Sequence, residues 1–189
     1  MATGKIIIVS APSGTGKSTI IKRIIGDSDL NLSFSVSATS RSPRTGETDG
    51  VDYHFLTEEE FREGISRGDF VEYEEVYPGR LYGTLKSEVS RVVDSGRNLI
   101  LDIDVCGGLN VKRLYPNALA LFIMPPSVAT LRTRLEQRNT DTKEAIDGRV
   151  AKAEYEMTFA DSYDCRVVND DLEKAVEQTR ALIKEYISR

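Results

Sequence analysis

Lys5-Ile6-Ile7-Ile8-Val9-Ser10-Ala11-Pro12-Ser13-Gly14-Thr15-Gly16-Lys17-Ser18-Thr19-Ile20-Ile21 is the stretch that decides the fold. Lys5 to Ser10 is too apolar for a strand with one wet face, so it predicts a central strand covered on both sides. Ile20, Ile21, Ile24 and Ile25 recur at helical spacing and predict a helix over Lys17–Ile25. Between them lies a Walker A octet, Ala11 to Ser18, with alanine where the first glycine is usual, in the strand–loop–helix context that the motif requires. Gly14 and Gly16 let backbone N–H groups turn inward around phosphate oxygens, and the helix N-terminus adds partial positive charge. Lys17 is placed to reach β- and γ-phosphates, and the Ser18 hydroxyl to ligate Mg²⁺. Ala11, Pro12, Ser13, Gly14, Thr15, Gly16, Lys17, Ser18 and Thr19 are therefore the candidate residues for a nucleoside triphosphate.

Outward from the loop, apolar runs alternate with helical patterns, which predicts an α/β fold with a parallel sheet. Further strands are expected at Asn98–Asp104, Ala118–Met124 and Asp164–Val168. Helices are expected at Thr84–Asp94, Ser127–Arg138, Lys143–Ala160 and Leu172–Ile187. Residues 33–83 break the rhythm with two proline turns, short alternating strands around Tyr53-His54-Phe55 and Phe70–Val76, and a capping-box helix start at Thr57-Glu58-Glu59-Glu60. They read as a small mixed insertion carried by the main sheet.

The 189 residues are 40% hydrophobic and 29% charged, and no stretch approaches the roughly 20 apolar residues of a membrane-spanning helix. The net charge of −5 argues against broad binding to nucleic acid or anionic lipid, so any polyanion must meet a local basic site. Cys106 and Cys165 have no metal or disulfide spacing, and Ile6–Val9 is too short for a signal peptide. A cytoplasmic protein is expected. His54, with no second histidine or paired cysteine, reads as packing or surface, and Cys165 as a small buried hydrophobe.

Three further constellations bear on the phosphoryl acceptor. They are Phe34-Ser35-Val36-Ser37-Ala38-Thr39-Ser40-Arg41-Ser42-Pro43-Arg44; the set Asp52-Tyr53-His54-Phe55, Phe70-Val71-Glu72-Tyr73 and Leu81-Tyr82-Gly83-Thr84; and the strand end Leu101-Asp102-Ile103-Asp104. With the phosphate loop, and with Phe122 to Ser127 and Val168 to Asp171, the chain resembles guanylate kinases from Lys5 to about Tyr186. The resemblance implies a P-loop nucleoside monophosphate kinase fold: a parallel core of about 1–32, 84–126 and 161–189, a GMP-binding insertion of about 33–83, and a helical lid of about 127–160. It implies transfer of the γ-phosphoryl group of ATP to GMP with Mg²⁺.

Residue by residue, it assigns Arg41 and Arg44 to the GMP phosphate, with the phenols of Tyr53 and Tyr82. Glu72 reads guanine, and a carboxylate suits that task because guanine offers two adjacent donors where adenine N1 offers an acceptor. Ser37 and Thr84 complete the base pocket, and Asp102 and Asp104 stand near acceptor and metal with their roles undivided. Arg134, Arg138 and Arg149 fall on the lid, Arg134 toward ATP and the other two toward the transferring phosphate. Ser40, Cys106 and Asn139 depart from the family's usual residues. Two other readings stand beside the enzyme: a catalytically silent peptide-binding module, opposed by the intact Gly16-Lys17-Ser18, and a kinase for another nucleotide, opposed by Glu72, Ser37 and Thr84.

Overall fold

The computed structural model describes residues 3–137 and 142–189. In chain order the elements are β1 (Ile6–Ser10), α1 (Lys17–Ile24), β2 (Leu32–Phe34), β3 (Ala38–Thr39), β4 (His54–Phe55), α2 (Glu58–Arg67), β5 (Phe70–Tyr77), β6 (Arg80–Leu85) and α3 (Lys86–Asp94). There follow β7 (Asn98–Asp102), α4 (Val105–Leu114), β8 (Leu119–Met124), α5 (Val128–Gln137), α6 (Lys143–Met157), a 3₁₀ turn at Ala160–Ser162, β9 (Cys165–Val168) and α7 (Leu172–Ser188). The chain divides into two units: the residues up to Lys5 with Ser33–Leu99, and Ile6–Leu32 with Ile100–Arg189. The larger sheet has the strand order β2-β7-β1-β8-β9, and the unit boundaries fall inside β2 and β7.

In the second unit, β1 pairs in parallel with β8, and β8 with β9. The solid apolar reading of β1 is realised: Ile7, Ile8 and Val9 are all fully buried. Ile7 and Val9 join Ile20, Ile21 and Ile24 of α1 and Ala175 and Ile183 of α7 in one core cluster. Helix α4 approaches β1 so closely at Gly108 that a Cβ there would lie 2.4 Å from Ser10 Oγ and 2.5 Å from Tyr163 Oη. Helices α5 and α6 form their own small core from Leu131, Leu135, Ile146, Val150 and Ala153.

The first unit carries a second sheet, ordered β4-β3-β6-β5. It packs Ala38, Phe70 and Leu81 against Phe61 of α2, with the Phe61 and Phe70 rings stacked 4.3 Å apart. The Thr57–Glu60 capping box forms as read: Thr57 accepts from the Glu60 N–H, and Glu60 accepts from the Thr57 N–H.

Several element boundaries differ from expectation. Thr84 lies on β6 and not in a helix, because its backbone pairs with Glu72 of β5; α3 begins two residues later. Strand β7 ends at Asp102, since Asp104 turns to cap α4 by accepting from the Gly107 N–H. Helix α4 went unread because Gly107-Gly108 looks like a break, whereas here it allows close packing. Helix α6 stops at Met157, and Ala160 belongs to the 3₁₀ turn.

Candidate functional site

The phosphate loop joins the carboxyl end of β1 to the N-terminus of α1. Gly14 and Gly16 have φ of 89° and 92°, the left-handed region that glycine alone enters freely. At Gly16 space also matters, since a Cβ would sit 2.5 Å from Asn169 Nδ2. Asn169 is buried and donates from Nδ2 to the Thr15 carbonyl at 2.7 Å, clamping the loop from the end of β9. The Thr15 hydroxyl, also buried, donates to the Pro12 carbonyl at 2.9 Å and so closes the turn from within.

Lys17 Nζ lies 2.6 Å from Asp102 Oδ1 and donates to the Ile103 carbonyl at 2.9 Å. The Ser18 hydroxyl donates to Asp102 Oδ2 at 3.4 Å. A hydroxyl and a carboxylate thus stand together as hard oxygen donors, a pairing that suits Mg²⁺, which keeps several waters and takes few protein ligands. Among the described residues no group of three His, Cys, Asp or Glu side chains could enclose a metal by itself. The structure separates the two strand-end acids: Asp102 faces Lys17 and Ser18, while Asp104 caps α4 and lines the phosphate-loop cavity with Lys152 and Glu156. Burial raises the Glu156 carboxyl above its ordinary range, against the pull of Lys152, whose Nζ is 3.7 Å away.

Beside the loop opens a cavity of about 390 Å³ lined by Gly14, Thr15, Gly16, Thr19, Arg134, Gln137, Asn169, Asp170 and Leu172. Arg134 of α5 donates to the carbonyls of Asn169 at 2.8 Å and Asp170 at 3.4 Å, which pins its guanidinium to the cavity wall. Arg149 is half-buried on α6. Arg138, and with it Asn139, lies outside the described residues.

In the first unit, the register of the small sheet brings distant residues into one row. Thr84 pairs with Glu72 across β6 and β5, and its hydroxyl donates to Glu72 Oε1 at 2.6 Å. Ala38 pairs with Gly83, and Ser37 adjoins that pair on the side of Thr84, just outside β3. Opposite residues of an antiparallel pair project from the same face.

Arg41 grips Glu47 with two N–H groups at 2.6 and 2.7 Å, and its guanidinium lies over the rings of Tyr53, at 5.0 Å, and Phe55, at 5.6 Å. The Tyr53 and Tyr82 rings meet edge to face with centroids 6.1 Å apart. The Arg41 side chain is only 9% exposed, and among the described residues its buried Nε has no hydrogen-bond partner, a donor suited to an anionic ligand. Glu47 also accepts from the Arg44 N–H at 2.6 Å; the Arg41 bonds first, then that amide, draw its carboxyl down to about 2. Arg44 itself is exposed.

A family model described as Guanylate kinase matches residues 3–186. The chain belongs to the guanylate kinase family. It is 54% identical to the guanylate kinase of Bacteroides thetaiotaomicron over 188 residues, covering 99% of this chain and 92% of that protein. It is 50% identical to the guanylate kinase of Salinibacter ruber over 189 residues, covering all of both. The crystal structure of guanylate kinase from Anaplasma phagocytophilum superposes with a TM-score of 0.71 at 28% identity, over 100% of this chain and 89% of that one. The chain is therefore an enzyme, a nucleoside monophosphate kinase that phosphorylates GMP with ATP as co-substrate. The silent-module reading and the other-nucleotide reading both fall.

Sequence reasoning missed Asn169, Glu47, Gln137, Lys152 and Glu156 as site-lining residues. Asn169 had a signal, since it stands in the Val168–Asp171 stretch that carried part of the resemblance. Glu47 had none, because its one distinction is the arginine it faces. No described helix is long and apolar enough to cross a membrane.

Proposed function

We propose a division of labour in which the second unit binds ATP and the first binds GMP. The triphosphate lies against the inward N–H groups of the loop from Ser13 to Thr19, with Lys17 neutralising its charge and the α1 N-terminus adding to the field. The adenosine end occupies the cavity walled by Arg134 and Asn169. The observation that carries this reading is the convergence of Lys17, Ser18 and Asp102 at the start of α1, at 2.6 and 3.4 Å from the Asp102 carboxylate. Ser18, with Asp102 beside it, would hold Mg²⁺, which when bound would supply positive charge beside the phosphates.

In the first unit, Arg41, Arg44, Tyr53 and Tyr82 hold the GMP phosphate, supported by the orphaned Arg41 Nε. Glu72, Thr84 and Ser37 read the guanine edge. An oxygen of the GMP phosphate attacks the γ-phosphorus of ATP; the bond from that phosphorus to the bridging oxygen breaks, and ADP leaves. The nucleophile is largely ionised near neutral pH, with a second phosphate pKa of about 6, so no dedicated general base is required. Lys17, Arg138 and Arg149, with Arg44, supply charge to the transferring group. The two free cysteines, Cys106 and Cys165, support a cytoplasmic enzyme.

A coupled ADP-release assay with GMP, AMP, CMP and UMP tests the reading, with Lys17→Ala and metal chelation alongside. GMP should be preferred, chelation should stop turnover, and Lys17→Ala should lower kcat by ~10²-fold or more. Near-normal turnover by Lys17→Ala would overturn the phosphate-loop assignment.

A further inference from the structure

Glu88 is a buried carboxylate that neither the phosphate loop nor the acceptor residues account for. It lies on α3, its side chain 7% exposed, and three different elements converge on it. Arg91, one turn along the same helix, donates from Nε to Oε1 at 2.9 Å and from a terminal nitrogen to Oε2 at 2.8 Å. The Val36 N–H, in the segment between β2 and β3, donates to Oε2 at 3.0 Å. His54 Nε2, from β4, is 3.2 Å from Oε1. The Arg91 bonds first, then those of Val36 and His54, overcome the cost of burial and bring the carboxyl down to about 2, so the group is ionised throughout the working pH range.

Val36 is the residue before Ser37. Ser37 falls outside β3, which spans Ala38–Thr39, so its place beside Thr84 is not enforced by that strand. Its carbonyl instead accepts from the His54 N–H at 2.9 Å. Glu88 therefore holds the Val36–Ser37 segment twice: through the Val36 amide on one side, and through the ring of His54, whose backbone carries Ser37, on the other. A backbone restrained on both sides fixes where the Ser37 Cα and Cβ stand, and so limits its hydroxyl to the staggered positions about that point.

We propose that Glu88 is a positioning residue for base recognition, fixing the Ser37 hydroxyl in line with Thr84 and Glu72. This rests on the reading of Ser37, Thr84 and Glu72 as the guanine-binding row. Arg91 keeps the carboxylate charged and oriented, and His54 transmits the restraint to the Ser37 carbonyl.

The test is a double-mutant cycle on the full chain with Glu88→Gln, Ser37→Ala and the pair, reading KM for GMP, KM for ATP, kcat and Tm. Glu88→Gln should raise KM for GMP by roughly 5–20-fold, while KM for ATP and kcat at saturating GMP change less than about twofold. In the Ser37→Ala background the same substitution should add little, because the hydroxyl it positions is already gone. Additive effects on KM for GMP would overturn the proposal, as would equal rises in both Michaelis constants, which mark a general loss of structure. If Ser37→Ala leaves KM for GMP unchanged, the base-row reading of Ser37 fails and the proposal falls with it. If Ser37→Ala matters and Glu88→Gln does not, the row stands and the proposal alone is wrong. Should Glu88→Gln fold poorly, His54→Phe keeps the backbone bond to Ser37 and removes the ring contact. It should raise KM for GMP by about 2–5-fold with the same dependence on Ser37, and no rise would overturn the proposal.

Discussion

Within the proposed guanine-binding row, Glu72→Gln is the sharpest perturbation, because its bond with Thr84 biases which way the new amide points. Thr84 is buried, at 2% exposure, and its hydroxyl donates to Glu72 Oε1 at 2.6 Å. In the glutamine variant that donor keeps its acceptor only if the amide oxygen turns toward Thr84. The NH₂ group then faces the base, where guanine presents donors of its own. One hydrogen bond to a charged acceptor is lost and a donor–donor contact is added; a bond of that kind contributes ~1.5–3 kcal/mol. Taking about 2 kcal/mol, kcat/KM for GMP should fall roughly 30-fold. AMP should be spared, since the amide NH₂ can donate to adenine N1, so the GMP preference narrows by at least that factor. The assay is coupled ADP release with GMP, IMP and AMP as acceptors, and with ATP varied separately to show that its KM holds. An unchanged ratio of kcat/KM for GMP over AMP would refute the reasoning and leave Glu72 as one of several acids on an exposed edge strand.

Two other outcomes follow from the first unit. Arg41→Lys removes the fork that meets both Glu47 oxygens and the unpartnered Nε–H proposed to meet the GMP phosphate, so KM for GMP should rise ~10-fold or more while guanosine inhibits as before; equal weakening of both ligands would place Arg41 in the scaffold. Glu47 and Glu88 each titrate at about 2 in the fold against an ordinary value of 4.5. A depressed folded value means that the stabilisation is complete above about 4.5 and drains away as the pH falls toward 2. For buried Glu88 the difference of about 2.5 (4.5 less about 2) corresponds to roughly 3 kcal/mol. Urea unfolding of Glu88→Gln at several pH values should therefore show a flatter loss of stability over that window than the parent protein; an identical slope would show that Glu88 carries no linked stability.

What was legible in the sequence was whatever depends on near neighbours in the chain. The phosphate loop is contiguous with its strand and helix, so its residue types declare both the turn and the ligand. The capping box at Thr57–Glu60 closes over three residues and was readable for the same reason. The apolar density of β1 told that both its faces are covered. Helix α4 was not legible, because Gly107-Gly108 has poor helix propensity and the compensating gain, close approach to Ser10 and Tyr163, comes from another part of the chain.

Tertiary structure alone decided the rest, because those contacts are set by how strands and helices align. The Asn169 clamp on Thr15 spans 154 positions, and the Glu88 bond to Val36 spans 52. Asp102 and Asp104 are two residues apart and alike in sequence, yet the end of β7 sends one to Lys17 and Ser18 and the other to the cap of α4. Thr84 and Glu72 become one row through sheet register, with Ser37 adjoining the end of β3, and a slip of one residue would turn Thr84 to the opposite face. Residue types settled which chemistry this chain can perform; the pairing of β3, β6 and β5 settled which side chains stand together.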